Sequence, residues 1–200
     1  MLSKKELEII VEKIPKHPNP KDYLEQYTTP AKIVAKMIHY ARLLGDLENS
    51  IIIDLGCGTG RFAIAASLYG NTYAIGIDID KEAVHIAREY SKKLGAIVDF
   101  ILCDVKFLKI RGDVVFQNPP FGIKKKHADR VFLEKATEIS NVIYTIHDKY
   151  SKEFVLEFLN NKGFYVTHTL EEDFEIPLQF YYHKARIKRI PVIIFRAEKS

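Results

Sequence analysis

A short run of polar and rigid residues, Asn118-Pro119-Pro120-Phe121, is the part of the sequence best suited to chemistry. It follows the apolar run 114–116, so it begins where a strand is expected to end. The two prolines fix their own dihedral angles, lack backbone donors and favour an extended conformation at Asn118. The Asn118 side-chain oxygen and the Pro119 carbonyl are therefore acceptors that a planar amino group can engage.

Such an amino group is a poor nucleophile when its lone pair is delocalised into an aromatic ring. Acceptors that hold both of its N–H bonds favour a more tetrahedral nitrogen, and Phe121 could stack on the ring, which contributes roughly 1–3 kcal/mol. A general base is not required, because the nitrogen can lose its proton after it has reacted. In isolation, however, the same tetrapeptide is also typical of an ordinary turn at the end of a strand.

A glycine-rich loop, Asp54-Leu55-Gly56-Cys57-Gly58-Thr59-Gly60, lies between the β-branched run 51–53 and an apolar segment typical of a helix. Three glycines at alternate positions suit a sharp turn in which a ligand touches bare backbone. The spacing is one residue tighter than the dinucleotide fingerprint G-x-G-x-x-G, and the Gly-Lys-Ser/Thr of a phosphate loop does not follow.

Acidic residues follow the next two predicted strands. Asp78 comes 18 residues after Gly60, where a carboxylate can accept hydrogen bonds from both hydroxyls of a ribose. Asp80 is predicted to cap the following helix. Asp104 follows the third strand and could accept from an adenine amino group, although alone it is more typical of a turn or cap.

The elements that must position these residues alternate along the chain. The predicted strands are 51–53, 72–77, 97–102, 113–116, 142–146, 164–169 and 187–195, and the helices are 3–14, 30–45, 62–68, 81–94, 128–139 and 151–160. This order predicts an α/β fold with a seven-stranded, mostly parallel sheet, helices on both faces and ligands at the carboxyl ends of the strands.

Composition limits the class of protein. Two hundred residues, 47% hydrophobic and 28% charged, suit one compact domain. Cys57 and Cys103 lack the paired spacing of a zinc site or a disulfide framework, so we predict no metal and a reducing setting. Neither a signal peptide nor an apolar run of about 20 residues is found, so we expect a cytoplasmic protein without a membrane partner. The net charge of +4 permits nucleic-acid binding without demonstrating it.

Taken in this order, the motifs resemble the Rossmann-like, class I methyltransferases over about residues 48–196. The resemblance implies S-adenosylmethionine as cofactor, lying over the glycine loop. It implies a helical extension that covers the cofactor over 1–47 and a methyltransferase domain over 48–200, in one compact domain. Enzymes that carry Asn-Pro-Pro-Phe or Asn-Pro-Pro-Tyr act on adenine N6, guanine N2 or the glutamine side-chain nitrogen, so the motif leaves the substrate open.

A narrower resemblance covers nearly the full length from residue 22. The motifs Leu24-Glu25-Gln26-Tyr27-Thr28-Thr29-Pro30, Gly76-Ile77-Asp78-Ile79-Asp80, Cys103-Asp104-Val105, Asn118-Pro119-Pro120-Phe121-Gly122 and Tyr144-Thr145-Ile146-His147, together with the glycine loop, are similar to the methyltransferase-like protein five family. The resemblance implies an archaeal-type member that methylates adenosine N6 in small-subunit ribosomal RNA. Guanine-N2 or protein glutamine-N5 methylation is the alternative. The implied cofactor contacts are Gln26, Thr29, Asp54, Gly56, Gly58, Thr59, Gly60, Arg61, Asp78, Asp104 and Val105.

The same resemblance implies two kinds of partner. The first is RNA, for which the candidate contacts are Lys124, Lys125, Lys126, His147 and Lys184. Clusters of lysines are equally typical of a solvated surface, and a lone histidine of a strand end. The second is a small zinc-containing activator, which pairs with an exposed strand edge in the eukaryotic members. The third strand, 97–102, is expected at an edge of the sheet and would offer that surface.

Overall fold

The computed structural model describes residues 2–70, 72–121, 128–177 and 187–200, and within them seven strands form one sheet. The strands are β1 (Ile51–Leu55), β2 (Tyr73–Asp78), β3 (Val98–Leu102), β4 (Val114–Gln117), β5 (Val142–Asp148), β6 (Phe164–Pro177) and β7 (Ile187–Lys199). The helices are α1 (Lys4–Glu12), α2 (Ala31–Leu43), α3 (Arg61–Gly70), α4 (Lys81–Leu94), α5 (Ala128–Ile139) and α6 (Lys152–Asn161).

The strand order is β3-β2-β1-β4-β5-β7-β6. The first five strands in this order run parallel, and β7 is antiparallel to both β5 and β6. The predicted α/β fold with a mostly parallel sheet is therefore confirmed, and β3 lies at an edge as expected. The order reverses between β1 and β4, and ligands of such sheets bind in the crevice at that point.

This reversal brings the two predicted motifs together. β1 and β4 are neighbours in register, with Leu55 opposite Gln117. The next residues along the chain are Gly56 and Asn118, so the glycine loop and the Asn-Pro-Pro-Phe segment leave the sheet side by side. Two segments more than 60 residues apart in sequence thus share one crevice because of the strand order.

Buried side chains cover both faces of the sheet. One cluster includes Val34 of α2, Ile64 of α3 and Phe116 of β4, and the other includes Leu133 of α5 and Val155 of α6. Helices therefore pack on both faces, as predicted. The N-terminal extension shares the first cluster through α1, so it is part of the same core. None of the described helices is long and apolar enough to cross a membrane.

The last two strands are longer than the sequence suggests. β6 was expected to end at residue 169 but continues to Pro177, and β7 continues to Lys199. β5 pairs with β7 only between Val192 and Glu198, whereas β6 pairs with it from Ile187 onward. The β6–β7 ribbon consequently projects beyond the carboxyl end of β5, on the side of the sheet where β4 ends.

Candidate active site

The loop after β1 turns sharply into α3. Gly56, Gly58 and Gly60 have φ values of 74°, 52° and 85°, a region of backbone conformation that other residues seldom adopt. The N–H groups of Gly56 and Cys57 both donate to the carbonyl of Ile77 in β2, at 2.9 Å each. The glycines are therefore required by the path of the backbone, and the loop is fixed against the neighbouring strand.

Two buried carboxylates hold this loop. Asp78 accepts hydrogen bonds from the N–H groups of Gly58 at 2.7 Å and Asp80 at 2.8 Å, and burial raises its pKa. Asp54 accepts from the N–H of Ala63 in the first turn of α3 at 2.9 Å, and burial raises its pKa to about 7. Asp78 thus joins the loop to the end of β2.

Asp80 fastens the N-terminal segment to the sheet. Besides capping α4, it accepts from Gln26 Nε2 at 3.0 Å and pairs with Lys21 Nζ at 2.9 Å, and His17 Nε2 lies 3.4 Å away. Burial would raise the pKa of Asp80, but the hydrogen bonds from Lys21 and Gln26 outweigh it and lower the pKa. The amide of Gln26 is therefore used to close the segment over the loop.

Arg61 also binds the N-terminal segment. Its side chain is buried and donates from Nη1 to the carbonyl of Thr29 at 3.1 Å and from Nη2 to the carbonyl of Ile14 at 2.6 Å. Burial lowers the pKa of the guanidinium. Both of these hydrogen bonds join Arg61 to the N-terminal backbone, a role that its predicted place in a cofactor site did not suggest.

Asn118 has a fixed orientation. Its Nδ2 donates to the carbonyl of Tyr27 at 3.3 Å and to Oγ1 of Thr29 at 3.1 Å. Its Oδ1 is buried and has no hydrogen-bond partner among the described residues. A buried acceptor without a partner costs about 1–3 kcal/mol, so this oxygen is available to a donor from outside the chain.

Phe121 lies within an aromatic group that the sequence predicted only in part. Its ring is nearly parallel to that of Tyr27, with centroids 6.2 Å apart, and perpendicular to that of Phe174, with centroids 5.6 Å apart. Phe174 is fully buried on the overhanging part of β6. It was missed because the sixth strand was expected to end before it, although Phe174 and Ile176 alternate with acidic residues.

A second polar group lies on the other side of β4. Gln117 Nε2 donates to Thr145 Oγ1 at 3.1 Å, and this oxygen lies 2.8 Å from Nε2 of His147. His147 Nδ1 is 3.9 Å from Asp129 of α5, and burial lowers the pKa of His147 to about 4. The structure thus places His147, a predicted RNA contact, in the interior with 2% of its surface exposed.

A cavity of about 330 Å³ lies between the glycine loop, the N-terminal segment and Asn118. This volume is within the range of pockets that hold small organic ligands, about 300–1,000 Å³. Asp104 contributes to the lining from the end of β3, where its Oδ1 accepts from the N–H of Lys106 at 3.0 Å. The predicted site residues that line the cavity are Gln26, Thr29, Asp54, Gly56, Gly58, Thr59, Arg61, Asp78, Asp104, Val105, Asn118 and Pro120.

The remaining predicted residues lie elsewhere. Gly60, Pro119 and Phe121 are described but are outside the lining. Gly60 faces the core, where a Cβ would lie 2.9 Å from the ring of Phe100. The basic residues Lys124, Lys125, Lys126 and Lys184 fall outside the described part of the chain.

The site fits S-adenosylmethionine. The carboxylate of Asp78 lies in the lining where the ribose hydroxyls are expected, and the turn at Gly56 and Gly58 leaves bare backbone beside it. Asn118, whose side-chain oxygen has no partner among the described residues, belongs to the same lining. The glycine turns, Asp78 and Asn118 thus lie around one cavity at the carboxyl ends of the strands.

Comparison with known proteins agrees with this geometry. Residues 46–170 match the family model described as "Methyltransferase domain". The Drosophila melanogaster rRNA N(6)-adenosine-methyltransferase Mettl5 is 32% identical over 90% of this chain and 88% of its own length. The Danio rerio METTL5 is 28% identical over 96% of this chain and 97% of its own length.

A solved structure extends the likeness to the whole fold. The crystal structure of a Pyrococcus horikoshii protein, described as a candidate RNA methyltransferase, has a TM-score of 0.91 and 42% identity, and the match covers 100% of this chain and 98% of that one. Fold, site and relatives agree. The chain belongs to the methyltransferase domain family and, within it, to the family of the Mettl5 proteins, and it is an S-adenosylmethionine-dependent methyltransferase.

Proposed function

We propose that this methyltransferase modifies N6 of an adenosine in ribosomal RNA, with the small subunit as the expected source. The Mettl5 relatives support the substrate, since their names state rRNA adenosine N6. The single observation that carries the chemistry is the unpartnered Oδ1 of Asn118. This oxygen can accept an N–H of an amino group, whereas a hydroxyl nucleophile would also need a base, and an amide cannot act as one.

The proposed reaction depends on how the amino group is held. Asn118 Oδ1 accepts one N–H, and the carbonyl of Pro119 accepts the other, so the nitrogen becomes more tetrahedral and its lone pair is directed away from the ring. Phe121 stacks on the base and is itself held by Phe174. When bound, S-adenosylmethionine supplies an electrophilic methyl group on a sulfonium. The proton leaves the product nitrogen after transfer, so His147, buried and neutral, is not needed as a base.

The proposal is tested by transfer of labelled methyl groups to ribosomal RNA from cells that lack the enzyme, followed by nucleoside analysis. We expect N6-methyladenosine as the labelled product. Label in 2-methylguanosine, or only in protein, would contradict the substrate and favour the guanine or glutamine alternative. The Asn118→Ala variant should lose at least about a hundredfold in kcat, as removal of one acceptor or donor at a reacting group does in other enzymes. The matched variant Asn160→Ala, on the exposed surface of α6, should retain full activity.

The basic clusters are proposed to hold the RNA backbone. This part of the proposal rests on the sequence, since Lys124, Lys125, Lys126 and Lys184 lie outside the described residues. Each phosphate contact that is lost lowers the slope of log affinity against log salt by about 0.7–0.9. A triple alanine variant at 124–126 whose salt dependence equals that of the wild type would refute the contact.

A small zinc-containing activator is proposed to pair with β3. Among the described strands β3 pairs only with β2, so its other edge is open. Leu102 at the end of β3 is exposed, as are Ile97 directly before the strand and Phe107 in the turn after it, with Phe107 exposed by 74%. Exposed apolar groups beside an open strand suit a partner that adds a strand. If purification from native cells recovers no small zinc protein, or if Phe107→Glu leaves a recovered complex intact, this surface is not the docking site.

A further inference from the structure

We propose that Thr29 is a positioning residue that fixes the amide of Asn118 with its oxygen toward the substrate. The inference deepens the proposed function and rests on it, because it concerns the acceptor that the reaction uses. The hydroxyl of Thr29 accepts from Asn118 Nδ2 at 3.1 Å, across 89 residues of sequence. The resemblance to known methyltransferases suggested a cofactor contact at Thr29, which is a different role.

The orientation of the amide follows from the partners of Asn118. The carbonyl of Tyr27 can only accept a hydrogen bond, so the group that faces it must be the amide nitrogen. Rotation of the amide by 180° would place Oδ1 against this carbonyl oxygen and leave the nitrogen directed at the substrate amino group, donor against donor. The hydroxyl of Thr29 adds a second acceptor on the same side, which strengthens the hold on the amide nitrogen in the orientation that the carbonyl selects.

Both partners are held rigidly before any ligand binds. Thr29 precedes Pro30 and Asn118 precedes Pro119, and a residue before proline is restricted to extended conformations. The carbonyl of Thr29 is also bound by Arg61, which is anchored in turn at Ile14. The carbonyl of Tyr27, which can only accept, therefore selects the orientation of the amide, and the hydroxyl of Thr29 holds the amide nitrogen in that position.

The contact has a consequence for the N-terminal segment. Residues 26–29 contribute Gln26 and Thr29 to the lining of the cavity and at the same time supply both acceptors for Asn118. The segment that would enclose the methyl donor therefore also orients the side-chain oxygen of Asn118, which is the proposed acceptor for the substrate. A change in Thr29 should slow the chemical step even when the donor is fully bound.

The test compares Thr29→Val, which replaces the hydroxyl by a methyl group of similar size, with Thr29→Ser, which keeps it. Because one neutral hydrogen bond contributes about 0.5–1.5 kcal/mol, kcat should fall about two- to twelvefold in Thr29→Val and recover in Thr29→Ser. The KM for RNA and the Kd for S-adenosylmethionine, measured by calorimetry, should change little. Thr169→Val, the same substitution at an exposed position of β6, is the control.

A second readout does not depend on turnover or on the identity of the methylated nucleoside. The side-chain NH2 resonances of Asn118, assigned by their loss in Asn118→Ala, should show slowed hydrogen exchange in the wild type and in Thr29→Ser but not in Thr29→Val. Unchanged kcat and exchange in Thr29→Val, equal impairment of the Ser and Val variants, or a loss confined to cofactor affinity would each overturn the proposal. A labelled product other than N6-methyladenosine would contradict the proposed substrate, but the comparison of Thr29→Val with Thr29→Ser would remain valid.

Discussion

Arg196 of β7 binds both carboxylate oxygens of Asp46, which follows α2, with Nε–Oδ2 and Nη2–Oδ1 distances of 2.8 Å. Tyr144 donates to the same carboxylate at 2.5 Å. The hydrogen bonds that Arg196 donates to Asp46 raise the pKa of Arg196, and burial together with Asp46 raises the pKa of Tyr144. This pair joins the helical layer to the strand that completes the sheet.

The first prediction concerns this pair. Asp46→Asn keeps the shape but removes the charge, so Arg196 loses its bidentate partner in a site that is about one-tenth exposed. We expect the free energy of unfolding to fall by about 2–3 kcal/mol, between the values for exposed and fully buried pairs. Urea denaturation measures it. The control is Glu171→Gln, whose partner Lys149 lies at the surface, so that this substitution should lower the free energy of unfolding much less. Equal losses in the two variants would contradict the prediction.

The second prediction concerns Gly76 in β2, which lies opposite Phe100 of β3. A Cβ at residue 76 would lie 2.6 Å from two ring atoms of Phe100 and 3.1 Å from Cys57 Sγ. Gly76→Ala should therefore destabilise the protein by about 1–3 kcal/mol through overpacking. In the double variant with Phe100→Leu the loss should be smaller than the sum of the two single losses. Additive losses would show that the ring is not the obstacle.

The third prediction is the pH dependence of stability that Asp54 causes. Burial raises its pKa from 3.8 to about 7 in the folded state, so the folded state favours the protonated form. Its contribution is complete below about pH 4 and is lost as the pH rises toward 7, at up to about 1.4 kcal/mol per pH unit. In unfolding measured without the methyl donor, Asp54→Asn should remove this loss. A parallel pH dependence in the variant and the wild type would refute the assignment.

The fourth prediction has the opposite sign. Burial lowers the pKa of His147 from 6.5 to about 4, so its contribution to stability is complete above pH 6.5 and is lost as the pH falls toward 4. Between pH 7 and pH 4.5 the wild type should lose more unfolding free energy than His147→Gln. The pH dependence of kcat above pH 5 should keep its shape in this variant. A shift in the profile of kcat against pH would instead assign His147 a role in proton transfer.

Local sequence patterns predicted the elements whose ends are set by nearby residues. The helix predicted over 81–94 is α4 without change, because Asp80 caps its start and Gly95, with φ 70°, ends it. β6 was predicted eight residues too short. Its acidic residues obscured the alternation of apolar positions, and three of them are neutralised by distant cations, namely Glu171 by Lys149, Glu172 by Lys36 and Glu175 by Arg189.

The residues of the site were also predicted where a local motif identifies them, and their contacts with distant segments were not. The glycine loop, Asp78 and Asn118 were predictable because each follows a strand within a short motif. The contacts of Asn118 with Tyr27 and Thr29, and of Phe121 with Phe174, join segments that only the packed fold brings together. Likewise the sequence located Arg61 in the site but could not assign its guanidinium to the carbonyls of Ile14 and Thr29.

The position of β7 between β5 and β6 determines the order in which these strands can pair as the chain folds. During synthesis β6 leaves the ribosome before β7, which attaches it to the sheet. Because β7 is the strand with which β6 pairs in the described part of the sheet, this pairing must wait until residues 187–199 emerge. The open flank of β5 must be shielded for the same interval. This side of the sheet can therefore be completed only when residues 187–199 are available to pair, and the contact of Phe174 with Phe121 depends on that step.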